Sequence, residues 1–230
     1  MQSTSDNEIK NVSVFDFDGT AINGQSGELF STYLFRRGFV GVSLTCRLIW
    51  WGVRYILHLP YRQAESRELV FSALDGLDAE TVDQIMCDFH DEVLEPRYRE
   101  SAFEEVERRH EEGDIVLLAS ATFDTIANRA AEHLGADGAV ATRMERDADG
   151  NYTGRVDGLV VAGDQKYPAV VHWCDENLGV GKWRLESAYA DHHTDEDLLN
   201  RADEPYAVTP GATMRLYARR HGWPILEWET

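Results

Sequence analysis

Two aspartates near the start of the chain have the spacing of a chemical site. The stretch VSVFDFDGTA, residues 12–21, is an apolar run that ends in Asp16 and Asp18 and continues into Gly19 and Thr20. Side chains two positions apart in a strand share a face, so the two carboxylates should lie side by side. Two like charges at that distance are costly unless a cation or a reaction requires them. The pair therefore predicts a metal site or a catalytic site.

Further polar residues stand where predicted strands end or helices begin. Ser120 ends the apolar run DIVLLAS, Lys166 opens a predicted helix, and Asp191 and Asp195 follow the run SAYA. Each residue has a simpler explanation. Ser120, or Thr122 beside it, could cap the next helix, the lysine could be solvated, and the two acids could belong to the surface, with Asp195 as a helix cap. Chemistry is favoured if the fold brings these residues together.

The order of the predicted elements brings them to one edge of a sheet. Periodicity predicts a strand at 12–16, then about ninety mainly helical residues, then alternating strands and helices to the end. In the later part, strands are predicted at 114–120 and 138–145, and the last two at 187–191 and 206–210, with a hairpin at 146–158. Helices are predicted at 123–134, at 166–177, and from about 195 and 211. This order predicts an α/β fold, a Rossmann-like parallel sheet covered by helices with a helical cap inserted after the first strand. Ligands of such sheets bind at the carboxyl ends of the strands.

Charge and cysteine content limit the partners and the compartment. The chain has 230 residues and a formal net charge of -19. Nucleic acids and anionic membranes are bound through Lys and Arg, so we expect neither, and a phosphate-bearing ligand would need a local positive charge. Three widely spaced cysteines, Cys46, Cys87 and Cys174, argue against a disulfide framework, and residues 1–10 lack the apolar core of a signal peptide. We therefore expect a cytoplasmic protein.

One segment, residues 39–59, could be mistaken for a membrane span. It carries Arg47, Arg54 and His58 within about one bilayer thickness, which a stable span rarely tolerates. The segment predicts a buried or partly exposed amphipathic helix, with no stable membrane insertion.

Four motifs, taken in chain order, resemble those of one enzyme family. They are DFDGT at 16–20, LLASAT at 117–122, the lysine of GDQK at 163–166, and ADHHTDEDLL at 190–199. In this combination the chain resembles the haloacid dehalogenase superfamily of phosphatases, specifically the phosphoserine-phosphatase-like branch (subfamily IB type) with a helical cap after the first strand. The hairpin DGNYTGRVDG and the tail RRHGWPILEW resemble that branch as well. The resemblance implies a catalytic core at 1–21 and 112–230, with a cap at 22–111.

The resemblance implies a phosphatase that works through a covalent aspartyl-phosphate. Asp16 would be the nucleophile, and Asp18 would protonate the leaving oxygen and then take a proton from the attacking water. Gly19 would allow the sharp turn, and the Thr20 hydroxyl would brace the loop beside the phosphate. A hard cation, Mg²⁺, would lie between Asp16, the backbone carbonyl of Asp18 and Asp191. Such a cation would explain why two carboxylates stand so close together.

The resemblance also implies how the phosphoryl group would be held. Ser120, the backbone N–H groups around Ala121 and the helix start near Phe123 would donate hydrogen bonds to its oxygens. Lys166 would supply the local positive charge. Asp195 would orient Lys166 or a water on the metal.

Some positions depart from that branch. Phosphoserine phosphatases carry a glutamate for the substrate ammonium nine residues after the nucleophile, and this chain has Gln25 there, which disfavours phosphoserine. The asparagine that is usual just before the last aspartate is Thr194 here, which alters the hydrogen bonds near the metal. His192 and His193 replace small residues in the same loop, and they are interpreted either as substrate contacts or as neutral surface histidines.

The apolar cap segment LIWWGVRYILHL, residues 48–59, bears on the choice of substrate. It predicts a pocket or interfacial face that favours an aromatic or acyl-bearing phosphomonoester. Alternatively, Trp50, Trp51 and Tyr55 pack the core of the cap or a dimer contact. The substrate and the oligomeric state are not predicted beyond this.

The predicted function is Mg²⁺-dependent hydrolysis of a small phosphomonoester. The alternatives are phosphotransfer at the same site, a catalytically weak protein that binds a phosphate ligand, and, last, dehalogenation. A zinc site built from His172, Cys174, His192 and His193 fits no standard ligand spacing.

Overall fold

The computed structural model describes residues 9–56 and 62–229, and a parallel sheet forms its centre. The strands are β1 (Lys10–Asp16), β2 (Ile115–Phe123), β3 (Gly138–Thr142), β4 (Met144–Arg146), β5 (Tyr152–Val156), β6 (Trp183–Ala190), β7 (Glu204–Val208) and β8 (Ile225–Leu226). Six of them form the sheet in the order β3-β2-β1-β6-β7-β8, and every neighbouring pair is parallel. The other two, β4 and β5, form an antiparallel hairpin.

Helices fill the chain between β1 and β2 and then alternate with the strands. The first group is α1 (Ser26–Arg36), α2 (Val42–Ile56), α3 (Gln63–Phe71), α4 (Ala79–Phe89) and α5 (Glu100–Glu111). The second group is α6 (Asp124–Leu134), α7 (Lys166–Asn177), α8 (Glu196–Leu199) and α9 (Ala212–His221). Parallel strands need crossover connections, and helices α6 to α9 supply them on the two faces of the sheet.

Strand β1 is buried on both faces, and its side chains alternate between two hydrophobic cores. Val12 and Val14 pack in a core with Cys174 of α7 and Met214 of α9. Phe15 packs in the other core, which contains residues of the helices that follow β1, such as Phe89. A continuous apolar strand between two helical layers explains why β1 sits in the middle of the sheet.

The predicted α/β architecture is confirmed, and three details of the prediction are wrong. The predicted strand 138–145 is broken at Arg143, because its first part pairs with β2 and its second part turns into the β4–β5 hairpin. Strand β2 runs three residues beyond its predicted end, to Phe123. The strand predicted at 206–210 lies at 204–208 and is not the last one, because β8 adds two residues at the sheet edge by pairing with β7. A strand of two residues has too little pattern to be predicted from sequence.

The apolar segment 39–59 forms α2 as far as Ile56, and residues 57–59 and Pro60 lie outside the described residues. Trp50 is 60% exposed on α2, so it does not pack the core of the cap, whereas the neighbouring Trp51 is half-buried. None of the helices within residues 9–56 and 62–229 is long and apolar enough to span a bilayer.

Candidate functional site

The chain turns sharply as soon as β1 ends. Backbone N–H groups of Thr20 and Ile22 both donate to the carbonyl of Phe17, and Gly19 has a φ of +80°. Asp18 therefore lies in the turn, not on the strand as its spacing from Asp16 predicted. The turn, rather than a shared strand face, brings both carboxylates to the carboxyl edge of the sheet.

A cavity of about 350 Å³ lies at this edge and is called the strand-end cavity below. It collects most of the residues that the sequence singled out, although they are distant in the chain. Its lining is Asp16, Asp18, Gln25, Arg67, Ala121, Ala162, Gly163, Lys166, Asp191, His192, Thr194 and Asp195.

Lys166 is the centre of the charged network in the strand-end cavity. Its Nζ lies 2.5 Å from Oδ1 of Asp16 and 2.7 Å from Oδ2 of Asp195, and all three side chains are buried. The second oxygen of Asp16 accepts a hydrogen bond of 3.1 Å from the Thr20 hydroxyl. Lys166 is thus not a solvated lysine, and Asp195 is not a surface acid. Both oxygens of Asp16 are held in fixed directions.

Burial shifts the pKa values of the charged groups in the strand-end cavity, and neighbouring charges oppose or reinforce these shifts. Burial raises the pKa of Asp16 well above its ordinary value, and Lys166 only partly opposes this. Burial, reinforced by the charge of Asp195, raises the pKa of Asp191 to about 6. Burial disfavours the charged ammonium of Lys166, but Asp16 and Asp195 outweigh that effect and raise its pKa. Four carboxylates, including Asp18, thus face the cations Lys166 and Arg67 among the lining residues.

Asp18 is fixed by the start of the first helix. Its two oxygens accept hydrogen bonds from the backbone N–H of Ser26, at 2.6 Å, and from the Ser26 hydroxyl, at 2.9 Å. Burial raises the pKa of Asp18, against these hydrogen bonds and the charges of Lys166 and Arg67. A carboxyl group with a raised pKa keeps its proton to a higher pH, as a proton donor requires.

Asp191 lies against the backbone of the turn. A Cβ placed on Gly19 would come within 2.2 Å of Oδ2 of Asp191, so only glycine fits there. This contact brings the Asp191 carboxylate next to the peptide that joins Asp18 to Gly19. Two carboxylates, from Asp16 and Asp191, and a backbone carbonyl are hard oxygen ligands of the kind that Mg²⁺ binds. The donor set and the surplus negative charge therefore fit a divalent cation.

Ser120 and Thr122 do not cap the following helix. Phe123 is the N-cap residue of α6 and makes no side-chain cap bond. The buried Ser120 hydroxyl instead accepts a hydrogen bond of 3.1 Å from the backbone N–H of Thr122, which shapes the end of β2. A hydroxyl that accepts one hydrogen bond can still donate another, and Ala121 between them lines the strand-end cavity.

The loop after β6 departs from what the sequence suggested for Thr194. Its hydroxyl pairs at 2.9 Å with Nδ1 of His192, a histidine of the same loop. His192 also lines the strand-end cavity, and burial lowers its pKa, which favours the neutral ring. Gln25 is the exposed N-cap residue of α1 and lines the same cavity.

A second cavity, of about 320 Å³, adjoins the first, is lined mainly by helices between β1 and β2, and is called the cap cavity below. Three residues line both cavities: Asp18, Arg67 and Ala121. The rest of the lining is Ser26, Gly27, Glu28, Phe30, Ser31, Trp51, Ser66, Val70, Thr122 and Phe123. A molecule that reaches Asp16 thus has room for a further group beside Asp18.

Two residues of the site were missed by the sequence analysis. Ser26 follows Gln25 at the start of a helix, and its position just before an apolar helical pattern was an available signal. Arg67 lies on α3, and its approach to Asp18 depends on how that helix packs over the sheet. Nothing in the local sequence indicates that packing.

A zinc site is not formed by the residues considered for it. Among the described residues, no group of three or more His, Cys, Asp and Glu side chains is arranged to hold a metal ion. His172 is exposed and pairs with Glu176, while Cys174 is buried in the core. The candidate Mg²⁺ ligands differ from such a group because one of them is a backbone carbonyl.

Comparison with known proteins supplies the family context. A family model described as haloacid dehalogenase-like hydrolase matches residues 13–200. A histidinol-phosphatase from Neisseria meningitidis serogroup C (strain 8013) is 26% identical over 233 residues, covering 96% of this chain and 100% of that protein.

Solved structures share the fold over nearly the whole chain. A protein of unknown function from Bordetella pertussis Tohama I superposes with a TM-score of 0.84 at 24% identity, covering 95% of this chain and 99% of the other. A phospho-aspartyl intermediate analogue of phosphoserine phosphatase superposes with a TM-score of 0.60 at 20% identity, covering 95% and 93%. At these identities the structural likeness concerns the fold.

Proposed function

The chain belongs to the haloacid dehalogenase-like hydrolases and is a phosphatase of that family, and from this premise we propose that it is a Mg²⁺-dependent enzyme that forms an aspartyl-phosphate. The observation that carries the proposal is the position of Asp16. Its carboxylate ends the central strand, is oriented by Lys166 and Thr20, and lines a cavity that also contains Asp18 and Asp191.

Asp16 is the nucleophile of the proposed reaction. One of its carboxylate oxygens attacks phosphorus, and the bond between phosphorus and the leaving oxygen breaks. Asp18 gives its proton to that oxygen, so an alcohol departs. In the second step Asp18 accepts a proton from a water molecule and the water oxygen bonds to phosphorus. The bond between phosphorus and the Asp16 oxygen breaks, which frees phosphate and restores the Asp16 carboxylate. Two displacements at phosphorus then replace one difficult hydrolysis.

Donors around Asp16 bind the transferred group. Lys166 carries the positive charge that a phosphate ester needs in a chain whose net charge is -19. The Ser120 hydroxyl and the backbone N–H groups near Ala121 are the further donors, while the Thr20 hydroxyl beside the phosphate site donates to Asp16. Asp195 acts on this group indirectly, because its hydrogen bond of 2.7 Å holds the Lys166 ammonium in place.

We assign the metal to Asp16, Asp191 and the backbone carbonyl of Asp18, with Asp195 and Thr194 outside this set. When bound, Mg²⁺ neutralises charge on the phosphoryl oxygens and on the carboxylates that surround them. The lining of the strand-end cavity supports the assignment, because four carboxylates face two cations there and a divalent cation would balance that surplus of negative charge.

We further propose the division into a core, residues 1–21 and 112–230, and a cap, residues 22–111, that supplies the wall facing the leaving group. Phe30, Val70 and Phe123 form apolar parts of the cap cavity, which supports a phosphomonoester with an apolar or aromatic group. The exposed thiol of Cys46 suits a reducing, cytoplasmic environment.

Phosphate release from a panel of phosphomonoesters tests the proposal. The panel includes phosphoserine, histidinol phosphate, aryl phosphates and sugar phosphates, each assayed with Mg²⁺ and with EDTA. We expect release that requires Mg²⁺ and that is abolished in Asp16→Asn, with circular dichroism showing an intact fold. Release that persists in folded Asp16→Asn, or that is unaffected by EDTA, would refute the assignment.

A further inference from the structure

The cap cavity is the space for the leaving group, because it begins at Asp18. Under the proposed function, Asp18 protonates the leaving oxygen, so the rest of the alcohol must extend from that residue. Of the residues that line the strand-end cavity, Asp18, Arg67 and Ala121 continue into the cap cavity. Its volume of about 320 Å³ is at the small end of ligand sites. The substrate is therefore a small molecule whose alcohol part is compact.

The charged side chains that line the cap cavity differ in which cavities they border. Arg67 borders both cavities and lies close enough to Asp18 to favour the ionised form of that carboxyl group. Apart from Asp18, the acidic residue in the lining is Glu28, which borders the cap cavity and not the strand-end cavity. Positive charge thus borders both cavities, whereas the negative charge of Glu28 borders the cap cavity alone.

Glu28 stands one helical turn beyond Gln25. Gln25 is the N-cap of α1, and Glu28 lies in the first turn of that helix, about 5 Å further along the axis. A neutral amide at Gln25 cannot balance an ammonium close to the phosphate. No ion-pair partner of Glu28 is found within residues 9–56 and 62–229. Its carboxylate can therefore balance a cation in the cap cavity.

We infer that the substrate is the phosphate ester of an alcohol that carries both an amine and an apolar, preferably aromatic, group. The apolar group packs against Phe30, Val70 and Phe123, and the ammonium pairs with Glu28. An amine has an ordinary pKa near 10, so it is charged at neutral pH. Phosphoserine would be a poor substrate, because it is too short to fill the apolar part of the cavity. This inference deepens the proposed function and rests on it.

A set of matched substrates separates the two halves of this inference. Phenylalaninol phosphate carries the amine and the ring, phenylpropyl phosphate keeps the ring alone, and ethanolamine phosphate keeps the amine alone. We expect kcat/KM for the first to exceed that for each of the others by about tenfold or more. In Glu28→Gln the preference over phenylpropyl phosphate should fall to near one, because the lost carboxylate charge acts on the amine.

A second carboxylate provides the matched control. Glu80 is an exposed acid in the first turn of α4, so Glu80→Gln removes the same charge from an equivalent helical position outside the cap cavity. The control should keep the wild-type preference. A role of Glu28 limited to stabilising its helix would leave the preference intact in both variants and would overturn the inference.

Binding measurements keep the inference testable apart from turnover. In the Asp16→Asn protein with Mg²⁺, calorimetry with the same three esters should give a Kd ratio that favours phenylalaninol phosphate and that Glu28→Gln removes. Equal binding of phenylalaninol and phenylpropyl phosphates would overturn the inference, and so would a preference that survives in Glu28→Gln. Hydrolysis of generic aryl phosphates without this preference would refute the substrate class and leave the phosphatase proposal standing.

Discussion

The strand-end cavity and the cap cavity are adjacent, yet they are built differently. In the first, buried charged side chains bond to one another: Lys166 to Asp16 and to Asp195, at 2.5 and 2.7 Å. In the second, apolar side chains from helices and from the end of β2 form the wall, and Glu28 is exposed. A substitution in the strand-end cavity would leave a neighbouring charge without its partner. A substitution among the apolar wall residues of the cap cavity would not. The difference suggests that chemistry is fixed at the strand ends and that substrate choice is set in the cap.

Substitution of Asp18 tests the chemical half of this comparison and should have the largest effect. Asp18→Asn removes the proton donor, so kcat for alkyl phosphates should fall by about 10²–10⁴-fold. With p-nitrophenyl phosphate the leaving group needs little protonation, so rapid mixing should show a burst of nitrophenolate followed by slow turnover. Equal losses for both steps and both substrates would contradict the assigned role.

Substitution of Gly19 tests whether its close contact with the Asp191 carboxylate is required for catalysis. Gly19→Ala would force its Cβ into the Asp191 carboxylate, and displacements of about 1 Å at a reacting centre can cost about 100-fold in rate. The measurement is kcat together with the Mg²⁺ concentration for half-maximal activity. Gly113→Ala is the control, because it has a similar φ of +88° and open space around it. It should lower stability by roughly 1 kcal/mol and leave kcat unchanged.

Substitution of Arg67, which lines both cavities, tests the binding role assigned to the cap cavity. Arg67→Gln should raise KM by about tenfold, because a charged hydrogen-bond donor near the phosphate is lost, with a smaller change in kcat. Arg67→Lys should recover part of the loss. A fall in kcat as large as that in Asp18→Asn would show that Arg67 acts in the chemical step, and it would contradict the separate roles of the two cavities.

His90, which packs against His133 of α6, should affect stability and not catalysis. His90 is buried, with its ring nitrogens within hydrogen-bond distance of Asp91 and the Tyr98 hydroxyl, and burial lowers its pKa. A base whose pKa is lowered by folding binds its proton more readily when unfolded. The contribution of His90 to the free energy of unfolding is therefore fully present above the ordinary histidine pKa of about 6.5, and it is lost as the pH drops below that value.

The corresponding measurement is thermal unfolding at pH 7.5 and pH 5.5. His90→Gln should lose less stability than the wild type between these conditions, and kcat/KM at pH 7.5 should be little changed. The comparison with wild type is essential, because protonation of the many surface acids acts on both proteins. An unchanged pH dependence in His90→Gln would contradict the role given to this ring.

The sequence was most informative where a rule of sheet topology applies. Asp16, Lys166 and Asp191 are far apart in the chain, but each follows or faces the carboxyl end of a parallel strand, and that edge gathers them. Helix α7 begins at Lys166 as predicted. The local signals and the topology agree at these positions.

Features that depend on contacts between distant parts of the chain could not be predicted from the sequence. Strand β8 exists because two residues of the tail pair with β7, and so short a segment carries no periodic signal. Arg67 approaches Asp18 only because α3 lies over the sheet, and the sequence does not specify that contact. Likewise, the spacing of Asp16 and Asp18 suggested one strand face, but hydrogen bonds to the Phe17 carbonyl end the strand between them.

The central claim is that phosphate passes through a covalent bond to Asp16. The most direct measurement is acid quenching during turnover of a rapidly hydrolysed phosphomonoester with Mg²⁺, followed by mass spectrometry of the peptides. The account predicts a phosphoryl group on the peptide that contains Asp16 in the wild type, enriched in Asp18→Asn with an aryl phosphate, and absent in Asp16→Asn. Active turnover with no phosphoryl group on Asp16, or with one on another residue, would contradict it.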